Sequence, residues 1–175
     1  METETKDGSE SGEKPKDSCA VPVSPINPNG NQLMNQIGMF ARDLSVAMDT
    51  GPDIRDITGQ IVTFIRESEI SSGVINVFVP GSTGSVTAIE YEPGVISDLK
   101  RTITALAPPG QVYDHEQAWH DGNGHSHVQA ALLGPSLSIP VQEGRPCLGT
   151  WQQVVVINHD NGPRTRKVRL TLTGI

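Results

Sequence analysis

Ser136-Leu-Ser-Ile-Pro-Val141, a turn at Gln142-Glu-Gly-Arg145, and Leu148-Gly-Thr-Trp-Gln-Gln-Val-Val-Val-Ile157 are the residues that set the fold class. Each run is short and rich in β-branched side chains, and each ends at glycine, asparagine or proline, as strands and hairpins do. A second turn near Asn161-Gly162 leads into a last strand, Val168 to Thr173. We therefore expect the final third of the chain to form an antiparallel meander.

Upstream, strands alternate with helices. We predict an opening strand at Phe40 to Met48, a largely buried strand at Gly73 to Pro80 and a third at Ser85 to Tyr91. Apolar residues at helical spacing predict one helix after Asp56 and another that begins at Pro93, because proline is well placed in a first turn. A short helix is expected from Val128 to Leu133, with His127 at its start. The fold class is thus α+β with two or three helices, in one domain over residues 36–175.

The N-terminal residues differ in composition. Residues 1–30 are mostly acidic, basic and small polar side chains, too poor in aliphatic residues to join a core, and we expect a disordered acidic tail. No secretory signal, transit peptide or bilayer-spanning stretch is recognisable, which favours a cytoplasmic protein without a membrane partner. The two cysteines, Cys19 and Cys147, lie far apart, and a disulfide is not expected.

Charge argues against one class of partner. The net charge is -7, and about -4 outside residues 1–20, so a general nucleic-acid binder is excluded. A local basic cluster holds Arg164, Arg166, Lys167 and Arg169. Strand alternation would point Arg164 and Arg166 to one face, where paired guanidinium groups suit phosphate or pyrophosphate. A solvated, basic edge strand is the competing interpretation.

Four of the five histidines lie between Tyr113 and His127, together with three carboxylates. Imidazole and carboxylate groups at this density indicate a metal or acid-base site, although the spacing matches no standard zinc motif. The competing interpretation is a polar surface loop, which applies most to His120. The fifth histidine, His159, lies in a turn-like Asn-His-Asp-Asn-Gly sequence, and we expect it to be solvated.

Two further features are weaker indications of a ligand site. The segment Gly81-Ser-Thr-Gly-Ser85 has backbone donors and hydroxyls that could surround an anion, but it lacks the lysine and spacing of a P-loop, and an ordinary turn is the favoured interpretation. Trp151 lies within the predicted strands, where tryptophan is more often a core or interface anchor than a stacking surface.

Three stretches are informative together: Gly122-Asn-Gly-His-Ser-His-Val-Gln-Ala-Ala-Leu-Leu-Gly-Pro-Ser-Leu-Ser-Ile-Pro140, Gly144-Arg145 and Leu148-Gly-Thr-Trp-Gln-Gln153. They resemble the YjbQ-type family of secondary thiamine-phosphate synthases. The resemblance extends from about Met39 to the C-terminus. It implies a β-sandwich-like, mostly antiparallel core and a homotrimer with pockets near subunit boundaries. It also implies a transferase that joins hydroxymethylpyrimidine pyrophosphate to thiazole phosphate and releases pyrophosphate, a reaction that a divalent metal such as zinc or magnesium would assist.

The resemblance, by position, and the clustering of imidazole and carboxylate groups together give the candidate site residues. Catalytic candidates are His115, His127, Glu116 and Asp121, and the candidate metal ligands are His115, His125 and His127. Candidates for contact with a phosphorylated substrate are Arg164, Arg166, Ser82, Thr83, Glu90, Trp151 and Gln152.

This chain departs from the family pattern at two places near those residues. It has Gly81 where many members have histidine, and Ile89-Glu90-Tyr91 where they have Asn-Glu-Asn. We hypothesise that His120 and His125 restore lost metal-binding or proton-transfer capacity. Besides the enzyme, two alternatives stay open: a non-catalytic, trimeric protein that binds a metal or a phosphate ligand, and a trimeric structural module with incidental histidines.

Overall fold

A computed structural model describes residues 37–175 of the chain. The predicted tail at residues 1–30 and Cys19 lie outside the described residues. Twelve elements follow in order: β1 (Gly38–Met48), β2 (Asp53–Asp56), α1 (Thr58–Ser68), β3 (Gly73–Phe78), β4 (Gly84–Ile89), α2 (Pro93–Leu106), α3 (His115–Trp119), α4 (Gly124–Leu133), β5 (Ser136–Gln142), β6 (Arg145–Pro146), β7 (Gln153–Asn158) and β8 (Arg164–Gly174).

The strands form two antiparallel sheets. The larger has the order β1-β8-β3-β5-β6, and the smaller has the order β2-β7-β4. One apolar cluster joins the inner faces of both sheets with α1, and a second joins the other face of the smaller sheet with α2 and α4. The predicted α+β class with a sandwich-like core is therefore confirmed.

The predicted meander is wrong. The turn at residues 142–145 does pair β5 with β6, but β7 pairs with β2 and β4 in the smaller sheet, whereas β8 lies between β1 and β3. The reason is visible in β7, where Val154 and Val156 belong to the first apolar cluster while Val155 and Ile157 belong to the second. Because both faces of β7 are covered, its apolar run is continuous, which is typical of a central strand between two layers.

The helices differ from the prediction in two respects. A fourth, short helix, α3, lies inside the histidine-rich segment, and α4 begins at Gly124, four residues before the predicted start. Three of the four clustered histidines are therefore helical: His115 opens α3, and His125 and His127 lie in the first turn of α4. None of the helices among residues 37–175 is long and apolar enough to cross a bilayer.

Candidate functional site

The end of β7, the start of β4 and the start of α4 meet at one corner of the smaller sheet. Asn158, the last residue of β7, is opposite Gly84, the first residue of β4. The loop Gly81–Gly84 and the turn His159–Asn161 are therefore neighbours, joined by a hydrogen bond from His159 N to Thr83 O of 2.9 Å. A serine of α4, Ser126, donates its hydroxyl to His159 O at 2.6 Å. These bonds fix the three segments relative to one another.

His159 is at the centre of a buried polar network, and the expectation that it is solvated is wrong, since it is 1% exposed. Its Nε2 lies 2.7 Å from Ser85 Oγ, and its Nδ1 lies 3.2 Å from Gln129 Oε1. Because Gln129 uses its amide nitrogen to donate to Ala107 O at 2.8 Å, its oxygen is left to accept from His159. The network thus assigns a neutral imidazole with its proton on Nδ1, accepting from Ser85 at Nε2.

The electrostatic surroundings agree with a neutral His159. Burial, followed by the positive charge of Arg166 and the nearby His125, lowers the pKa of His159 to about 4. Burial similarly lowers the pKa of His125, which is 9% exposed and has its Nε2 3.3 Å from Ser126 Oγ. Both imidazoles are held in their uncharged forms because hydration of the cation is lost.

Arg166 lies beneath the Gly81–Gly84 loop. Its Nη2 donates to Thr83 O at 2.9 Å and to Thr83 Oγ1 at 2.7 Å, and its Nε donates to Asn158 Oδ1 at 3.0 Å. Within residues 37–175, the third nitrogen, Nη1, makes no such hydrogen bond; a methyl group built on Gly81 would lie 3.6 Å from it. One nitrogen of a buried guanidinium therefore lies beside the glycine that opens the loop.

Asp160 ties the two arginines together. Thr83 Oγ1 donates to Asp160 Oδ2 at 2.9 Å, Arg164 lies 3.0 Å from each carboxylate oxygen, and Arg166 Nη2 lies 3.7 Å from Oδ2. Burial alone would raise the pKa of Asp160, but hydrogen bonds from Arg164 and Thr83 and the charge of Arg164 outweigh it, so the pKa is lowered. As alternation predicted, Arg164 and Arg166 share a face, although Arg164 is exposed and Arg166 is buried.

The remaining clustered histidines are closer to the surface. The rings of His115 and His127 are 4.4 Å apart between centroids, tilted by 44°. The Nε2 of His115 is buried and has no hydrogen-bond partner; Asp121 Oδ1 lies at an ion-pair distance of 3.4 Å, but not in hydrogen-bonding geometry. His120 is exposed and ends α3 with a left-handed backbone, φ 51°.

Glu116 fixes the segment between α3 and α4. Its two carboxylate oxygens accept from Gly122 N at 2.7 Å and Gly124 N at 2.9 Å. Those two backbone donors lower the pKa of Glu116, because they favour the ionised form. Gly124 has no room for a side chain, since a methyl group there would lie 2.6 Å from Tyr113 Cβ. Glu116, a predicted catalytic residue, thus holds the turn that brings His115 beside His127.

A pocket of about 270 Å³ opens beside this corner. It is lined by Gly81, Ser82, Gly84, His127, Ala130, Ala131 and Pro135. A larger recess of about 540 Å³ lies along α2, between Pro52 and Pro108, and contains none of the predicted site residues. We take the smaller pocket as the candidate site because its lining includes the Ser82 hydroxyl and the His127 imidazole, and the Arg166 guanidinium lies beside Gly81, which also lines it.

Three residues that were predicted to contact the substrate lie away from the candidate pocket. Glu90 follows β4, and Trp151 and Gln152 precede β7, beside the end of the ladder where Ile89 pairs with Gln153. The candidate pocket lies at the opposite end, about 17 Å away for six residues of strand. Trp151 is 68% exposed, and Gln152 accepts from Gly149 N at 2.8 Å. Within a single chain, the predicted site residues therefore fall into two groups, one at each end of the smaller sheet.

The sequence prediction missed five polar residues that build the corner: Ser85, Gln129, Asn158, His159 and Asp160. A signal was present for three of them, because Asn158-His-Asp160 directly follows the buried run Val154–Ile157. Polar residues at the end of a strand covered on both faces are placed next to a core and need partners. Ser85 and Gln129 gave no such signal.

Comparison with known proteins shows to which family the chain belongs. The model of the family described as UPF0047 protein YjbQ-like matches residues 42–175. The chain belongs to this YjbQ-like family. A UPF0047 protein of Methanothermobacter thermautotrophicus is 32% identical over 136 residues, covering 78% of this chain and 93% of the relative. UPF0047 protein YugU of Bacillus subtilis is 30% identical over 135 residues, covering 76% and 98%.

Solved structures have the same YjbQ-like fold. A YbjQ-like protein of unknown function from Sulfolobus solfataricus superimposes with a TM-score of 0.76 at 28% identity, covering 80% of this chain and all of that one. A hypothetical protein from Aeropyrum pernix gives a TM-score of 0.66 at 31% identity, covering 80% and 99%. The family and its fold are thereby established for residues 42–175, and the descriptions of these relatives name no reaction.

Proposed function

We propose that the candidate pocket of the YjbQ-like domain binds the phosphate group of a small molecule. The observation that supports this most is Arg166: two of its nitrogens are fixed by Thr83 and Asn158, and its Nη1 lies beside Gly81, which lines the pocket. A guanidinium held in this way needs no reorganisation when an anion arrives, so its binding energy is not spent on ordering a side chain. Ser82 offers a hydroxyl on the same wall.

We further propose that His127 and His115 move a proton at this pocket. His127 lines the pocket, and His115 lies behind it with an unpartnered Nε2. In the transfer that thiamine-phosphate synthases perform, a thiazole nitrogen attacks the carbinyl carbon of hydroxymethylpyrimidine pyrophosphate. The carbon–oxygen bond breaks, and its electron pair leaves with pyrophosphate. Arg166 would stabilise that growing charge, and His127 would protonate the leaving oxygen.

A divalent metal, zinc or magnesium, stays a prediction. The donor types suit zinc, but among residues 37–175 no three histidine, cysteine or carboxylate side chains are arranged to hold one ion. No step of the proposed chemistry is assigned to a metal. Elemental analysis tests the prediction: one equivalent per chain that is lost on His115→Ala would support it, and metal-free protein with an active pocket would remove it.

The homotrimer, which the family resemblance implies, stays a proposal, and the divided site supports assembly of identical chains. Glu90, Trp151 and Gln152 lie about 17 Å along the sheet from the pocket, so they can complete it only from a neighbouring subunit. A cyclic assembly brings the two ends of identical chains together at every boundary, because each contact joins two different surfaces of the chain. Three copies would then make three equivalent pockets.

The binding proposal is tested with Arg166→Lys and a matched control. Lysine keeps the positive charge but lacks the paired N–H donors of a guanidinium group. We therefore expect the affinity of this variant for inorganic phosphate to fall by roughly tenfold or more. Arg169→Lys is the control, since Arg169 lies on the same strand but pairs on the surface with Asp43 at 2.7 Å. Isothermal titration at fixed salt measures both variants. Equal affinity in both variants and the unchanged protein would contradict the proposal.

Turnover is tested separately by pyrophosphate release from hydroxymethylpyrimidine pyrophosphate and thiazole phosphate. We expect release by the unchanged protein and a loss of roughly 100-fold or more in His127→Gln, as for removal of a general acid. His120→Gln is the control, because within the described chain no ring contact or ion pair connects His120 with the other histidines. Phosphate binding without any release would favour the non-catalytic, ligand-binding alternative.

A further inference from the structure

Trp119 is an exposed aromatic side chain next to the candidate pocket. It ends α3 and is 72% exposed, although tryptophan has one of the largest apolar surfaces of any side chain. Its ring stacks with that of His115, four residues earlier on the same helical face, with 6.5 Å between centroids and 23° between planes. The indole is therefore held in a defined orientation while most of its surface is open to solvent.

The indole neighbours a side chain that contacts the pocket lining. His115 contacts His127 at 4.4 Å between centroids, and His127 lines the pocket. The indole centroid is therefore no farther from the His127 ring than the sum of the two ring distances, 6.5 Å and 4.4 Å. Trp119 is thus connected to the pocket lining through two neighbouring rings, those of His115 and His127.

The backbone that carries Trp119 is fixed. His120 N donates to Glu116 O at 3.1 Å to end the helix, and the side chain of Glu116 binds Gly122 and Gly124 on the far side of the turn. A rigid aromatic surface costs little conformational entropy on binding, since few bonds have to be ordered.

We propose that Trp119 is the surface on which an aromatic ring of the ligand stacks, so that the pocket selects phosphate esters of planar rings over aliphatic ones. This inference rests on the proposed phosphate site and adds to it a residue that sets specificity. Neither the family match nor the relatives' descriptions assign a role to this position.

The test compares phenyl phosphate with cyclohexyl phosphate and inorganic phosphate. The two esters have similar size and charge, and only one has an aromatic ring. We expect the unchanged protein to bind phenyl phosphate roughly 5- to 100-fold more tightly than cyclohexyl phosphate, the range for stacking of one ring on an aromatic side chain. Trp119→Ala should abolish this preference and leave affinity for inorganic phosphate unchanged, whereas Trp119→Phe should keep part of it.

Leu106→Ala is the matched control for loss of an exposed apolar side chain, because Leu106 is 67% exposed and does not line the pocket. Trp151→Phe leaves Trp119 as the single tryptophan of the chain, and phenyl phosphate should then quench its fluorescence more than cyclohexyl phosphate does. A preference for phenyl phosphate that persists in Trp119→Ala would overturn the inference. So would a change of oligomeric mass in that variant, because Trp119 would then be a subunit contact.

Failure of this inference can be told apart from failure of the phosphate site. If inorganic phosphate binds and is weakened by Arg166→Lys, but the two esters bind equally, only the role of Trp119 is wrong. If inorganic phosphate does not bind to the unchanged protein, the phosphate site is wrong, and the stacking role falls with it.

Discussion

Two kinds of histidine meet at the corner formed by β7, β4 and α4. His159 is fully enclosed and has a partner for each ring nitrogen, whereas His115 and His127 are half-buried and contact each other's rings. An enclosed, neutral imidazole with fixed partners is suited to holding segments in place. The half-buried pair is suited to exchanging protons with a bound molecule, because solvent and ligand can reach it.

Burial of His159 predicts acid sensitivity. Its pKa in the folded state, about 4, is below the ordinary value of 6.5, so the unfolded chain takes up the proton first as pH falls. The free energy of unfolding is therefore unaffected by protonation of this group above pH 6.5. Between pH 6.5 and pH 4 it falls progressively, by about 3 kcal/mol in total. Urea unfolding at a series of pH values measures this loss. His159→Gln should flatten the curve between pH 6.5 and 4, whereas the exposed His120→Gln should leave it unchanged.

At the scale of elements, the histidine-rich segment depends on how α3 is joined to α4. The carboxylate of Glu116 accepts from two glycine amides across the turn and thereby sets the distance between His115 on α3 and His127 on α4. Sequence reasoning found these residue types and their clustering, but predicted no helix before Val128. It could not find the arrangement, because contacts between glycine amides and a carboxylate six to eight residues away leave no periodic pattern.

Glu116→Ala should release this turn. We expect faster hydrogen exchange at the amides of Gly122 and Gly124 and weaker phosphate binding, since His115 and His127 are no longer held together. The control is Asp114→Ala, because Asp114 is the N-cap residue of the same helix but makes no capping hydrogen bond with its side chain. Unchanged exchange at both glycines in Glu116→Ala would show that the turn is held by other contacts.

The strands show where sequence patterns succeed and where they fail. Alternation and glycine or proline boundaries located β1, β3, β4 and β8 to within a few residues. Pairing was not predictable in the same way, because antiparallel partners in this fold are far apart in sequence: β1 pairs with β8, and β2 pairs with β7. The continuous run in β7 was the available clue to a strand covered on both faces.

Valine-to-threonine changes test that β7 is covered on both faces. Val155 and Val156 point to opposite faces and are both 0% exposed, so each buried hydroxyl should reduce the free energy of unfolding by roughly 1–3 kcal/mol. Val74→Thr on β3 is the matched control, because Val74 is 48% exposed and its change should have little effect. Denaturant unfolding measures all three. A meander with one solvated face would instead make one of the two β7 changes nearly neutral.

At the scale of the whole molecule, the predicted site residues lie at the two ends of the smaller sheet. One end has the pocket with Arg166 and His127, and the other has Glu90, Trp151 and Gln152. The outer face of the larger sheet leaves Val74 and Phe78 exposed by 48% and 38%. A chain that separates the parts of one predicted site and leaves apolar residues on a sheet face is suited to assembly with copies of itself.

Subunit complementation tests whether neighbouring chains share the site. His127→Gln and Gln152→Ala should each weaken binding of phenyl phosphate, one by altering the pocket wall and the other by altering the part supplied by the neighbour. If the two variants are unfolded together and refolded in equal amounts, about one quarter of the boundaries in a cyclic trimer should combine an intact His127 with an intact Gln152. Those boundaries should regain the affinity of the unchanged protein, which titration would resolve as a tight-binding fraction.

Refolding each variant alone is the control and should give no such fraction. A mixture that binds as the average of the two variants would place Gln152 outside the site, and a monomeric mass at the concentrations used would exclude a shared pocket altogether.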